Sequence, residues 1–242
     1  MKLTGNTILV TGGGTGIGQA LAWRFHELGN RVIVAGRTAA SLEATIAGHE
    51  GMSALELDVG DPASIARAAE RLAAEHPQLN MLIHSAGVMR NPEQPEDARE
   101  IIEINLLGTI RMVEALLPQL RRQPDPVIMT VSSGLAFVPL VRAQAYSASK
   151  AGVHSYTVSL RERLRGEVEV IEIAPPAVRT ALSPGQESRE DYLPLTDYID
   201  QTMTVFAQQP TPAENLVPNA RFLRDAEKEG RLPQVLEMLG AL

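Results

Sequence analysis

Short apolar runs recur along this chain, each followed by a longer stretch with helical periodicity. Runs at 7–10, 31–35, 53–57, 81–84, 127–131 and 168–173 are rich in Val, Ile, Leu and Met. Apolar residues fall on both faces of these segments, as they do in strands buried in a parallel sheet. Between them, 17–28, 39–47, 62–75, 96–120 and 146–164 read as helices, and Asp61-Pro62 supplies an N-cap and a first-turn proline to the third. Alternating strands and helices predict an α/β fold, with one doubly wound parallel sheet of Rossmann type and helices on both faces. Residues 1–242 read as one domain. Within it, 183–218 is rich in proline and polar residues and reads as a loop-and-short-helix excursion that carries the substrate side. The tail 221–242 reads as helix broken at Gly230 and Pro233.

Composition narrows the classes. The chain has 44% hydrophobic and 21% charged residues, as globular proteins do. With 22 Lys plus Arg against 29 Asp plus Glu, its net charge of −7 argues against nucleic acid or an anionic membrane as partner. No window approaches ~18 consecutive apolar residues. The first five residues run almost directly into Ile8-Leu9-Val10, leaving no room for a signal peptide, so a cytoplasmic location is expected. The absence of cysteine excludes disulfides and thiolate chemistry. His26, His49, His76, His84 and His154 do not form a metal cluster, lacking ligand spacing with acidic companions, so no metal site is expected. His84, at a strand end, reads as a packed or locally bonded imidazole.

The first strand leads into Thr11-Gly12-Gly13-Gly14-Thr15-Gly16-Ile17-Gly18 and then a helix. Gly12 permits the tight turn, Gly16 lets backbone approach a pyrophosphate, and Gly18 lets the helix pack closely. The helix N-terminus presents free N–H groups to phosphate. At the end of the second strand an acid would bind a ribose 2′-hydroxyl, whereas an arginine accommodates a 2′-phosphate. The chain has Arg37 there, which favours NADP and leaves NAD as the alternative. Asp58, before Val59 at the end of the third strand, is a candidate acceptor for an adenine amino group.

Tyr146-Ser147-Ala148-Ser149-Lys150 places a phenol and an amine four residues apart on one helix face. Lysine is scarce, occurring only at Lys2, Lys150 and Lys228. An ammonium beside a phenol favours the phenolate and lowers its pKa, so the pair can exchange a proton with a carbonyl oxygen.

Together these residues resemble the short-chain dehydrogenase/reductase family. The resemblance rests on the glycine loop, Ala86-Gly87 after the fourth strand, Asn105 in Ile104-Asn105-Leu106-Leu107-Gly108, Ser132-Ser133 after the fifth, and Tyr146-x-x-x-Lys150. It implies an oxidoreductase moving hydride between a nicotinamide cofactor and a carbonyl or alcohol carbon of a small substrate. Tyr146 would be the acid or base, and Ser133, thirteen residues earlier, would hold the substrate oxygen. Lys150 would bind the nicotinamide ribose and lower the pKa of Tyr146. Asn105 would hold a water that relays protons to Lys150. Val178 and Thr180 would meet the cofactor, with Gly12, Thr15, Gly16, Ile17, Gly18, Arg37, Asp58, Val59, Ala86 and Gly87. Ser132 reads as a strand-end residue satisfying local backbone. A non-catalytic dinucleotide-binding regulator or interaction module on the same fold is the alternative.

The chain departs from the family pattern at Ser85, usually asparagine, at Pro176, usually glycine, and in lacking a seventh-strand signal over 230–242. Without that strand a homodimer through the 96–120 and 146–164 helices is expected. Substrate contacts are expected from Val88-Met89, 135–141 and 183–206. Phe137, Tyr192 and Met203 are candidate pocket walls, and Arg142 or Arg179 candidate partners of an acidic substrate.

Overall fold

The computed structural model describes residues 1–89 and 97–240. Its order is β1 (Thr7–Thr11), α1 (Gly16–Glu27), β2 (Arg31–Gly36), α2 (Ala39–Ile46), β3 (Ser53–Glu56), α3 (Pro62–Glu75), β4 (Met81–His84), α4 (Ala98–Ile102), α5 (Gly108–Leu120), β5 (Val127–Val131), α6 (Gln144–Arg163), β6 (Glu169–Ile173), α7 (Leu195–Phe206), β7 (Glu214–Asn215), α8 (Pro218–Arg224) and α9 (Leu232–Gly240). The strands form one sheet in the order β3-β2-β1-β4-β5-β6-β7, and every pairing is parallel. The chain reverses its winding between β1 and β4, which opens a crevice beyond their carboxyl ends.

Strand residues alternate between two cores, as the period of two requires. Ile8, Val10, Val34 and Ile83 face α1 and α7, meeting Leu21, Phe25, Tyr198 and Phe206. Leu9, Ile33, Leu82 and Ile128 face α3, α5 and α6, meeting Ile65, Leu72, Met112, Leu116 and Leu160. Asp61 caps α3 by accepting from the Ala63 N–H at 2.9 Å, with Pro62 in the first turn.

Four features differ from the pattern-based reading. A seventh strand exists, but at Glu214–Asn215, and two residues leave no alternation to read. Much of 183–218 is integral to the core: α7 buries Tyr198, Ile199 and Phe206, and β7 extends the sheet. Pro233 does not break the tail; it sits in the first turn of α9, where its missing N–H costs nothing. The expected 96–120 helix has its described part from Ala98, Glu96 lying outside the described residues, and it is interrupted by a π-helical turn at Glu103–Leu107.

Candidate active site

The glycine loop lies at the β1–α1 joint. Gly12 adopts φ +66°, and a side chain there would meet the Ala86 backbone at 2.9 Å. A side chain at Gly18 would strike the Gly12 carbonyl at 2.4 Å, so that glycine lets α1 close on its own loop. In front of Gly16 the nearest side chain is that of Thr180, 3.6 Å from where a Cβ would sit. Two adjoining cavities of about 300 and 180 Å³ open here. The larger is bounded by Thr15, Gly16, Ile17 and Gly18 on one side and by Ser133, Tyr146, Lys150, Val178 and Thr180 on the other. The smaller runs past Arg37, Asp58, Val59 and Ala86, and Gly12 and Gly87 border both. Asp58 Oδ1 accepts from the Gly60 N–H at 2.9 Å, which fixes the carboxylate at the cavity wall.

Ser133 leaves β5 in extended conformation, and its hydroxyl accepts from the Leu135 N–H at 3.1 Å, capping a short 3₁₀ turn at Gly134–Ala136. Tyr146 and Lys150 lie on the buried face of α6, with Lys150 Nζ 5.7 Å from the Tyr146 ring centre. Lys150 Nζ donates to the Val131 carbonyl at 2.9 Å. Burial pushes the Tyr146 phenol up to about 12, opposed by a hydrogen bond with Ser133. Burial also brings Lys150 down to about 8. The expected acidification of the phenol is therefore not seen in the free chain. Desolvation of the phenolate dominates, and the amine is bonded to backbone rather than to the phenol.

Asn105 lies outside both cavities, fully buried in the π-helical turn. Its Oδ1 accepts from the Val88 N–H at 2.8 Å; its Nδ2 donates to the Val88 carbonyl at 2.9 Å and to Ser149 Oγ at 3.0 Å. Thr109 Oγ1 donates to the Asn105 carbonyl at 2.6 Å, the bond to the carbonyl four residues back that threonine makes within helices. Both Asn105 Oδ1 and Lys150 Nζ flank Gly87, at 3.2 and 3.3 Å from where a side chain would begin.

Sequence reasoning missed a buried polar chain behind this site. Glu172 on β6 has no solvent exposure. It accepts from Ser132 Oγ at 2.5 Å and pairs with His154 Nδ1 at 2.8 Å. Ser132 thus bonds a distant carboxylate, not its local backbone. His154 follows Lys150 by one helical turn and does have acidic companions in space, Glu172 and Glu214, with ligand atoms within 4.8 Å of one another. Those groups are engaged internally: both Glu214 oxygens accept from Arg224, at 3.0 and 3.1 Å. Nothing in the spacing of 132, 154, 172 and 214 signals this chain. His84 is a packed imidazole, as expected: it is buried, its Nδ1 lies 3.0 Å from Thr11 Oγ1 on the neighbouring strand, and burial lowers its pKa to about 3. Gln186, also missed, donates to the Val178 carbonyl at 2.8 Å and to Thr180 Oγ1 at 3.2 Å, bracing the segment after β6.

On the outer side, Tyr192, Met89, Leu135 and Leu140 line a third cavity beside Tyr146. Phe137 does not; it packs edge-on against His154 at 4.9 Å and beneath the Arg224 guanidinium. Met203 lies in the core with α1 and α7. Both were candidates because aromatic and sulfur side chains suit pockets, but they suit cores equally.

The short chain dehydrogenase family matches residues 6–191. The uncharacterized oxidoreductase DltE of Bacillus subtilis strain 168 is 39% identical over 197 residues, covering 78% of this chain and 77% of that protein. The 2,3-dihydro-2,3-dihydroxybenzoate dehydrogenase of Escherichia coli K12 is 32% identical over 171 residues, covering 69% and 66%. A short chain dehydrogenase from Burkholderia cenocepacia J2315, solved in complex with NADP, superposes with a TM-score of 0.82 at 25% identity, covering 98% of this chain and 99% of that one. The family match over residues 6–191, the similarity to the DltE oxidoreductase and the shared parallel-sheet fold place this chain: it belongs to the short-chain dehydrogenases, a family of oxidoreductases.

Proposed function

We propose that this chain is an NADP-dependent oxidoreductase acting on a carbonyl compound or the corresponding alcohol, a CH–OH group. The observation that carries this reading is that Ser133, Tyr146 and Lys150 line the same cavity as Gly16, Val178 and Thr180. A dinucleotide suits the crevice, because the two adjoining cavities meet at Gly12, Thr15 and Gly87, beside the N-terminus of α1. Thr15, Gly16, Ile17 and Gly18 would hold the pyrophosphate, and Asp58, Val59, Ala86 and Gly87 would border the adenosine. Val178 and Thr180 would meet the nicotinamide end. When bound, NADPH supplies the hydride that reaches the carbonyl carbon.

The chain's own groups handle the oxygen. Ser133 donates a hydrogen bond to it and Tyr146 delivers the proton, so that one O–H bond breaks on the phenol and one forms on the product. Lys150 stabilises the developing phenolate by its charge. Asn105 fixes Val88 and, through Ser149, the first turns of α6, and its Oδ1 keeps a lone pair for a water shared with Lys150. Tyr146→Phe is expected to lower turnover by about 10³-fold or more while NADPH titrates fluorescence as before. Full activity in that variant would refute the role, and cofactor binding without turnover of any carbonyl by the parent would favour the regulator instead.

Arg37 supports NADP over NAD. It stands with Gly14, Thr38 and Ser41 around the adenosine-side cavity, where a 2′-phosphate would meet its planar fork. The Burkholderia cenocepacia neighbour was solved with NADP. Arg37→Asp is expected to reduce the NADPH-to-NADH preference in kcat/KM by about 100-fold. An unchanged ratio would remove Arg37 from cofactor choice.

A further inference from the structure

The third cavity, about 360 Å³, opens from Ser133 and Tyr146 away from the glycine loop. Its volume is that of a small-molecule site. Its wall is mostly apolar, with Met89, Leu135, Leu140, Leu182, Leu223 and Leu239 contributed by the loops after β4 and β5, the segment after β6, and helices α8 and α9. In a chain with seven more acidic than basic residues, no described Asp or Glu lines it, whereas Arg142 and Arg189 do.

The two arginines differ. Arg189 is committed: Nε and Nη2 donate to the two Asp191 oxygens at 2.8 and 2.7 Å, and the guanidinium lies over the Tyr192 ring at 5.0 Å. Arg179, the other sequence candidate, is spent on the Tyr192 and Glu190 carbonyls at 3.1 and 2.7 Å and does not line the cavity. Arg142 is exposed and makes no hydrogen bond or ion pair with any of the described residues. It precedes the first turn of α6, the helix that carries Tyr146. A free guanidinium at the edge of an apolar cavity matches a carboxylate, which its planar fork can hold through two parallel hydrogen bonds.

We propose that the substrate is a carbonyl compound with an apolar body and a terminal carboxylate, the carbonyl at Ser133 and Tyr146, the body against the leucine-rich wall and the carboxylate on Arg142. This deepens the oxidoreductase reading and rests on it. The test uses ω-oxo-carboxylates of four, six, eight and ten carbons and their methyl esters, assayed with NADPH on the parent and on Arg142→Gln. At the favoured chain length the parent is expected to prefer acid over ester by tenfold or more in kcat/KM. Arg142→Gln is expected to abolish that preference through KM for the acid. Equal use of acid and ester by the parent, or a preference that survives Arg142→Gln, overturns the proposal. Calorimetric titration of the protein with NADP and octanoate, against methyl octanoate, reads the same site without turnover. Octanoate binding lost in Arg142→Gln supports the carboxylate site even if no oxo-acid is reduced, a combination that would count against the oxidoreductase reading alone. Octanoate that does not bind, or binds both proteins equally, overturns the carboxylate site.

Discussion

Lys150 is the side chain on which the chemistry turns. Burial brings it down to about 8, so its charge is present below that pH and is lost as pH rises through it. If that charge stabilises a phenolate forming on Tyr146, kcat/KM for carbonyl reduction falls about tenfold per pH unit above about 8. Tyr146 itself, pushed up to about 12, stays protonated through this range and contributes no second limb. A profile level to pH 10 would show that the amine acts only as a hydrogen-bond donor. The identities and spacing of Tyr146, Lys150 and Ser133 were legible in the chain. The sign of the tyrosine shift was not, because desolvation depends on what surrounds the ring and not on which residue lies four positions along.

Between elements, Glu172 ties β6 to β5 through Ser132 and to α6 through His154. Two elements that carry the candidate chemistry, the β5 end with Ser133 and the helix with Tyr146, are thus joined by one buried carboxylate. Removing it leaves Ser132 and His154 without their partner in a site built for charge. Glu172→Ala is expected to cost roughly 3–5 kcal/mol and lower Tm by about 10 °C. A loss of less than about 2 °C by calorimetry would show that the chain relaxes around the gap. The π-helical turn at Glu103–Leu107 acts at the same scale. It carries Asn105, whose carbonyl accepts from Thr109 Oγ1 and whose side chain clamps Val88 beside the crevice. Asn105 was recognisable as costly polarity in an apolar segment, but a π turn has no residue signature distinct from an α-helix.

For the whole molecule, we propose residues 1–242 as one dinucleotide-binding unit; within 183–218, Ser183, Gln186, Arg189 and Tyr192 are among the residues that line the third cavity. Among the described residues no helix is long and apolar enough to cross a membrane. The expected homodimer is proposed through the outer faces of α5 and α6, the latter exposing Val158. Multi-angle light scattering is expected to give twice the chain mass of 26.1 kDa, and Val158→Glu to weaken the dimer. A stable monomer or tetramer would reject this interface.

What the amino-acid order determined by itself was local and periodic. Strands buried on both faces, the glycine loop at a strand–helix joint, the Asp61-Pro62 cap and the four-residue Tyr-Lys spacing each follow from near neighbours, and near neighbours set backbone geometry. Tertiary structure alone decided which distant groups meet: Glu172 with Ser132 and His154, Gln186 with Val178 and Thr180, β7 with β6, and Arg142 rather than Arg179 beside the cavity. The physical reason is that a buried polar group must find a partner somewhere in the fold, and the distance along the chain to that partner carries no preference that spacing could show.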